Sequence, residues 1–203
     1  SSGFGEHPKG KQLQETLVAA ARAAGVRLLG PNCMGTHSPR GRLTFVEGAQ
    51  ADVGSVGVLS QSGGLSIDIL RRGQLRGLKF SGLVTLGNSA DLGPCDLLEY
   101  LFADPHTRVI GLYLEDVADG RRFFELLRHA GAAKPVVLLK GGRTKQGQRA
   151  TASHTGALAG DDRIWTGLAR QTVMVLVEPL DEFLDALLAF QTLKPNATRP
   201  TKR

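Results

Sequence analysis

His154 stands in the stretch "KGGRTKQGQRATASHTGALAGDD", which runs from Lys140 to Asp162. Four cationic side chains of that stretch precede it, small residues surround it, and two acids close the stretch. Free imidazole titrates near about 6.5, so much of it is neutral and nucleophilic near neutral pH. One ring nitrogen can attack if the other gives its proton to a carboxylate, which fixes the tautomer and supports the charge that develops. Ser153, Thr155 and Gly156 leave room beside the ring and offer donors to phosphate oxygens. The plainer alternative is a polar loop residue with no chemistry.

Two further stretches supply what such a histidine would need. In "GLYLEDVAD", Glu115 and Asp116 follow an apolar run. Alone they read as solvated or helix-capping acids, and they gain interest only if a histidine reaches them. In "LSQSGGLSIDI", an apolar run ends in Ser60-Gln-Ser62-Gly63-Gly64 and opens a helical pattern. Unpaired N–H groups at a helix N-terminus, together with the helix dipole, favour a phosphate, and glycine admits it closely. Ser60 and Ser62 either add donors or simply cap the helix. A serine nucleophile elbow would require glycine at position 60. Cys33 sits at the tip of the turn "GPNCMG"; with no histidine beside it to activate the thiol, it reads as lining a ligand path.

The elements that must position these groups alternate regularly. "QLQETLVAAARAAG" has helical spacing and a glycine stop, and "VRLL" follows as a short strand. A Gly/Pro/charge-rich connection carries a short strand near Leu43 to Val46. From Val56 onward, "VGVLS", "FSGLVTLG", "RVIGLYLED", "KPVVLLKGG" and "VMVLVE" read as strands. Each is followed by a helical segment: "LSIDILRRGQLRG", "CDLLEYLFA", "GRRFFELLRHAG", "DDRIWTGLARQ" and "PLDEFLDALLAFQTL". Continuous apolar strands separated by helices predict an α/β fold with a parallel sheet covered on both faces. Ligands of such sheets gather beyond the carboxyl ends of the strands. Ser60 to Gly64, Glu115 and the His154 loop each follow a strand, so all three are expected on one rim.

Composition narrows the field. Of 203 residues, 41% are hydrophobic and 22% charged, the balance of a globular protein. No apolar stretch approaches a membrane span, and the start "SSGFGEHPKGKQ" carries neither an apolar leader nor an initiator Met. The chain is therefore expected to be part of something longer, in the cytoplasm and off the membrane. The formal charge of +6 suits anionic ligands, but scattered bases and 5% aromatics give no nucleic-acid pattern. Cys33 and Cys95 do not make a disulfide framework and have no zinc spacing, so no metal ligand is assigned. No Walker A sequence is present.

Six stretches in one order resemble the nucleoside-diphosphate-forming acyl-CoA synthetase superfamily. They are "GFGE", "AARAAGVRLLGPNCMG", "GSVGVLSQSGGLS", "GLVTLGNSADLGPCDLLEYLFADPHTRVIGLYLED", "KPVVLLKGGRT" and "ATASHTGALAGDD". The superfamily includes succinyl-CoA synthetase α subunits and ADP-forming acetyl-CoA synthetases, and "SHTGALAG" and "SQSGG" fit the acetyl branch better. The resemblance implies a flavodoxin-like domain over 51–193, preceded over 1–50 by the C-terminal part of a Rossmann-like CoA-binding domain and followed over 194–203 by a tail. It implies an acid-thiol ligase in which acyl-CoA and phosphate give an acyl phosphate, whose phosphoryl group passes to a histidine and then to ADP. His154 matches that histidine and Glu115 the acid orienting it. Ser60, Ser62, Gly63, Gly64, Ser153, Thr155 and Gly156 match the phosphate cradle, and Asn32 and Cys33 fall near the thioester end of CoA. Coenzyme A is then a substrate, and ATP/ADP and Mg²⁺ are handled by an ATP-grasp subunit or fused domain. The alternative is a ligand-sensing core fused to a protein-lysine acetyltransferase, without ligase turnover.

Overall fold

The computed structural model describes residues 3–5, 7–129, 134–142, 162–172 and 174–193. In chain order the elements are α1 (Pro8–Ala23), β1 (Thr36–His37), β2 (Val56–Ser60), α2 (Gly63–Leu75), β3 (Phe80–Thr85) and α3 (Pro94–Ala103). They continue with β4 (Val109–Leu114), α4 (Gly120–His129), β5 (Val136–Lys140), α5 (Asp162–Gln171), β6 (Met174–Val177) and α6 (Leu180–Thr192). The sheet order is β1-β3-β2-β4-β5-β6, antiparallel only between β1 and β3. The parallel part has the flavodoxin-like order, in which the chain reverses direction across the sheet beside its first strand. Here that switch point lies between β2 and β4.

The apolar strands are buried on both faces because helices cover both. Alternate residues serve opposite cores. Val56, Val58, Val137 and Leu139 pack under Ile69 and Leu70 of α2 and Phe183, Leu184 and Leu187 of α6. Leu59, Ile110, Leu112, Val136 and Leu138 pack under Leu98 of α3, Phe123 and Leu127 of α4, and Trp165 of α5. Phe183 packs so closely on β4 that a Cβ on Gly111 would stand 2.8 Å from its Cζ. On the α2–α6 side the helices are also tied by Arg72 and Arg76, both paired with Asp181. Among the described residues no helix is long and apolar enough to cross a membrane.

Two expected strands do not form, each for a visible reason. "VRLL" (Val26 to Leu29) is irregular, because its backbone is satisfied by the loop after β3 rather than by a strand. Leu28 N–H donates to the Asp91 carboxylate at 2.8 Å, and Leu92 N–H donates to Leu28 O at 3.1 Å. The segment Leu43 to Val46 makes a single bridge, Ser38 to Leu43. Past it, the Thr44 hydroxyl takes the main chain for itself, accepting from Val46 N–H at 3.1 Å and donating to Val46 O at 3.3 Å. Such local side-chain bonds compete directly with a ladder. The strand this region does contribute is β1, seven residues upstream of Leu43 by its first residue, Thr36. The first helix also begins earlier than its apolar pattern, at Pro8, because proline suits a first-turn position where no N–H is needed.

His37 of β1 is 2% exposed, packs edge-on to Phe80, and shares its Nδ1 with the Thr44 hydroxyl at 3.1 Å. Its Nε2 is buried without a hydrogen-bond partner among the described residues. Burial holds its pKa below the ordinary imidazole value. Because the folded value lies below the unfolded one, this contribution to stability is complete above the unfolded pKa and is lost as pH falls toward the folded one. The melting temperature is therefore expected to drop as pH falls below the ordinary imidazole value of about 6.5, and to drop less in His37→Gln. Equal slopes for the two proteins in calorimetric scans would remove His37 from the acid sensitivity.

Candidate functional site

The parallel register sets Ser60 beside Tyr113, so the chain leaving β2 and the chain leaving β4 emerge side by side. The first carries Gln61, Ser62, Gly63 and Gly64; the second carries Glu115 and Asp116. Gln61 joins them. Its N–H donates to Tyr113 O at 3.0 Å and its side-chain Nε2 donates to Asp116 O at 3.0 Å. Its Oε1 accepts from Glu115 N–H at 2.5 Å and from Asp116 N–H at 3.0 Å. The side chain thus pairs with the turn after β4 as a neighbouring strand would. Glu115 is 9% exposed, and the Tyr113 hydroxyl donates to its Oε1 at 3.4 Å. Burial, and then the Glu115 charge, push the Tyr113 phenol up to about 12, so that hydroxyl keeps its proton.

The serines of the α2 turn divide their duties. Ser60 is wholly buried, with its hydroxyl donating to Ser62 O at 2.9 Å and accepting from Ser62 N–H at 3.2 Å. That hydroxyl shapes the turn. Ser62 is the N-cap, its Oγ accepting from Leu65 N–H at 3.3 Å. The N–H groups of the first helical turn have no intrahelical acceptor. At Gly64 a Cβ would meet nothing within 4 Å, whereas at Gly63 it would meet Met34 Cγ at 2.5 Å. Gly64 therefore faces open space, and Gly63 is where the "GPNCMG" loop lies down on the helix tip.

That loop is fixed from several sides. The Met34 and Gly35 N–H groups donate to the Thr85 hydroxyl at 2.9 and 2.7 Å. Asn32 has a left-handed backbone (φ 56°), and its Nδ2 donates to Asn88 Oδ1 at 3.4 Å. Gly87, also left-handed, is so close that a Cβ there would stand 2.2 Å from Pro31 O. The Cys33 thiol turns back on its own loop and donates to Leu29 O at 3.6 Å. Below the loop, Arg27 Nε donates to Asp91 at 2.9 Å, and this bond, with that from Leu28 N–H, holds the Asp91 carboxyl below its usual range.

Between α1 and the strand ends lies a cavity of about 400 Å³, lined by Lys11, Gln14, Gln61, Asn88, Glu115 and Asp116 among others. Of the residues selected from sequence, Glu115 lines it; Asn32, Cys33, Ser60, Ser62, Gly63 and Gly64 are not among its lining residues. His154, Ser153, Thr155 and Gly156 lie outside the described residues. Sequence reasoning passed over Gln61 and Asn88. Gln61 was available as the one long polar side chain inside "SQSGG". Asn88 follows β3 just as Glu115 follows β4, and its Nδ2 donates to Phe4 O at 2.6 Å and to Gln14 Oε1 at 2.8 Å. Among the described residues no cluster of His, Cys, Asp and Glu is arranged to hold a metal ion.

Residues 53–190 match the family described as succinyl-CoA ligase like flavodoxin domain. The chain belongs to that family. Its relatives in the family extend the likeness over nearly all of the chain. It is 37% identical over 200 residues to the α subunit of acetate–CoA ligase [ADP-forming] II of Pyrococcus furiosus, covering 98% of this chain and 44% of that one. It is 32% identical over 197 residues to 4-hydroxybutyrate–CoA ligase [ADP-forming] of Nitrosopumilus maritimus, covering 94% and 28%. Among solved structures it matches the dinucleotide forming acetyl-coenzyme A synthetase 1 of Ca. Korarchaeum cryptofilum, in complex with phosphate and ADP. That match has a TM-score of 0.85 at 36% identity, over 94% of this chain and 42% of that one. The chain thus spans less than half the length of these relatives.

Gln61→Leu keeps the volume of the side chain and removes every hydrogen bond its amide makes to the turn after β4. We expect a loss of about 1–2 kcal/mol, the usual result when partly buried donors lose their acceptor. Urea titration checks this; an unchanged midpoint would show that the turn is held without Gln61.

Proposed function

We propose that this chain is the core of an ADP-forming acyl-CoA synthetase, interconverting acyl-CoA, phosphate and ADP with the free acid, CoA and ATP. The observation that carries the reading is the pairing of Glu115 with the tip of α2. A buried carboxylate and a helix N-terminus follow adjacent strand ends at the switch point, and Gln61, which leads into that helix, binds the Glu115 main chain and lines one cavity with it. The similarity to a synthetase solved with phosphate and ADP supports it.

In this reading a phosphate oxygen attacks the thioester carbonyl, the C–S bond breaks, and CoA leaves as the thiol after taking a proton. A nitrogen of His154 then attacks phosphorus and the carboxylic acid departs as carboxylate. An oxygen of the ADP β-phosphate finally takes the phosphoryl group and releases neutral imidazole. Glu115 accepts the other ring N–H, so that the attacking nitrogen presents its lone pair and the cation formed is stabilised. First-turn N–H groups at Gly63 and Gly64 hold the phosphoryl oxygens, with Ser153, Thr155 and Gly156 completing the cradle. Ser62 sets the helix tip and Ser60 sets Ser62. Asn32 and Cys33 border the thioester end of CoA.

Residues 1–50 are then the end of a CoA-binding domain, 51–193 the flavodoxin-like domain and 194–203 a tail. An ATP-grasp subunit or fused domain supplies the nucleotide site, where Mg²⁺ screens the phosphates of ADP and ATP. The free cysteines Cys33 and Cys95 fit a cytoplasmic enzyme.

The test uses the full-length protein with its nucleotide-binding partner or domain, Mg²⁺ and γ-labelled ATP. The parent should form an acid-labile, base-stable phosphohistidine and His154→Ala none. Label in that variant equal to the parent overturns the reading. Glu115→Gln should slow phosphoryl transfer about 100-fold or more with the melting curve kept, the usual scale for losing a positioned acid–base group. Transfer at the parental rate removes Glu115 from the mechanism.

A further inference from the structure

Lys140 ends β5 with its residue only 6% exposed, although lysine is seldom buried unless it is paired. Its Nζ donates to Glu115 O at 2.8 Å and to Gly141 O at 2.5 Å. It also stands 5.3 Å from the centre of the Trp165 ring. Trp165 belongs to α5 and packs edge-on to Phe123 of α4 at 6.1 Å between ring centres. A single ammonium therefore touches the main chain of the rim acid, the end of the strand that leads into the His154 segment, and the helix that follows that segment.

The neighbouring main chain is built to the same tolerance. Gly141 N–H donates to Leu114 O at 2.9 Å, extending the β4–β5 ladder to the residue before Glu115. A Cβ on Gly141 would stand 2.7 Å from the Tyr113 hydroxyl and 3.1 Å from Glu115 Cγ. Glu115 is thus held on its β2 side by the Gln61 amide and on its β5 side by Lys140. An apolar side chain of similar length would still pack on Trp165. It would leave the Glu115 and Gly141 carbonyls without this donor and remove the side-chain tie between the turn after β4 and the turn after β5.

We propose that Lys140 is a positioning residue of the phosphoryl-transfer site, whose buried ammonium locks the backbone of Glu115 to the strand end from which the His154 segment departs. It rests on the reading that Glu115 and His154 form the transfer pair. The role is to fix the distance and angle between carboxylate and imidazole, a geometry in which an error of about 1 Å can cost about 100-fold in rate.

The test again uses the full-length protein with its nucleotide-binding partner or domain. In Lys140→Met, kcat should fall about 100-fold, with the KM values for CoA and ADP within about twofold, the pattern of an interaction expressed in the transition state. Lys140→Arg, which keeps a cation able to donate to both carbonyls, should stay within about tenfold of the parent. Val177→Ala, a cavity variant in the core beneath α6, serves as a control for lost stability and should keep kcat within about twofold. A parental kcat in Lys140→Met overturns the proposal. So does a loss in Val177→Ala that matches Lys140→Met at equal reduction in melting temperature. His154→Ala is measured alongside. If it abolishes labelling while Lys140→Met is normal, only the role of Lys140 fails; if it still takes label, the reading beneath it fails.

Discussion

The candidate site depends on the parallel pairing of β2 with β4, strands that are neighbours in space and separated in the chain by α2, β3 and α3. Where parallel strands run on in sequence across a sheet, successive loops leave toward the same face and no crevice opens between them. Where the direction reverses, two strand ends stand side by side with their loops departing to opposite faces, and a crevice opens between them. Here one loop turns into α2 and the other presents Glu115. The Gln61 amide fills the crevice at its base, using four hydrogen bonds, counting its own N–H, to keep the two strand ends in register beyond the sheet. In the proposed function, carboxylate and helix tip serve one ligand, and this fixed base sets their spacing.

Much of this could be read from residue order. The five apolar runs and their intervening helices specify a covered parallel sheet, and each lies within a few residues of its expected bounds. Ser62 as a helix cap and Glu115 as a strand-end acid followed from position alone. Two things did not. The segments near Val26 and Leu43 have the branched, apolar composition of strands, yet their hydrogen bonds go to Asp91 and Thr44, and composition carries no information about such rivals. Nor does composition say which polar side chain will work on the main chain. Gln61 and Lys140 look like ordinary loop and surface residues in a sequence, and their importance arises from strands brought together by topology.

The serines show the same division. Both stand in the stretch that suggested a phosphate cradle, but Ser60 is wholly buried and its hydroxyl is spent within the turn, while Ser62 closes the helix. In the proposed function, the donors that face the phosphate are then main-chain groups at the glycines rather than these hydroxyls. This is an economical arrangement for a transient anion, because main-chain dipoles held by a helix need not reorganise when charge moves.

The two-residue strand β1 carries a last consequence. It runs against the direction of every other strand, and it covers β3 along Leu83 and Val84, where the parallel sheet would otherwise present bare amides and carbonyls. Exposed borders of that kind invite strands from other molecules. With Thr36 and His37 laid across it, the sheet ends on that side in a strand of two residues, which gives a visiting chain only a short main-chain template.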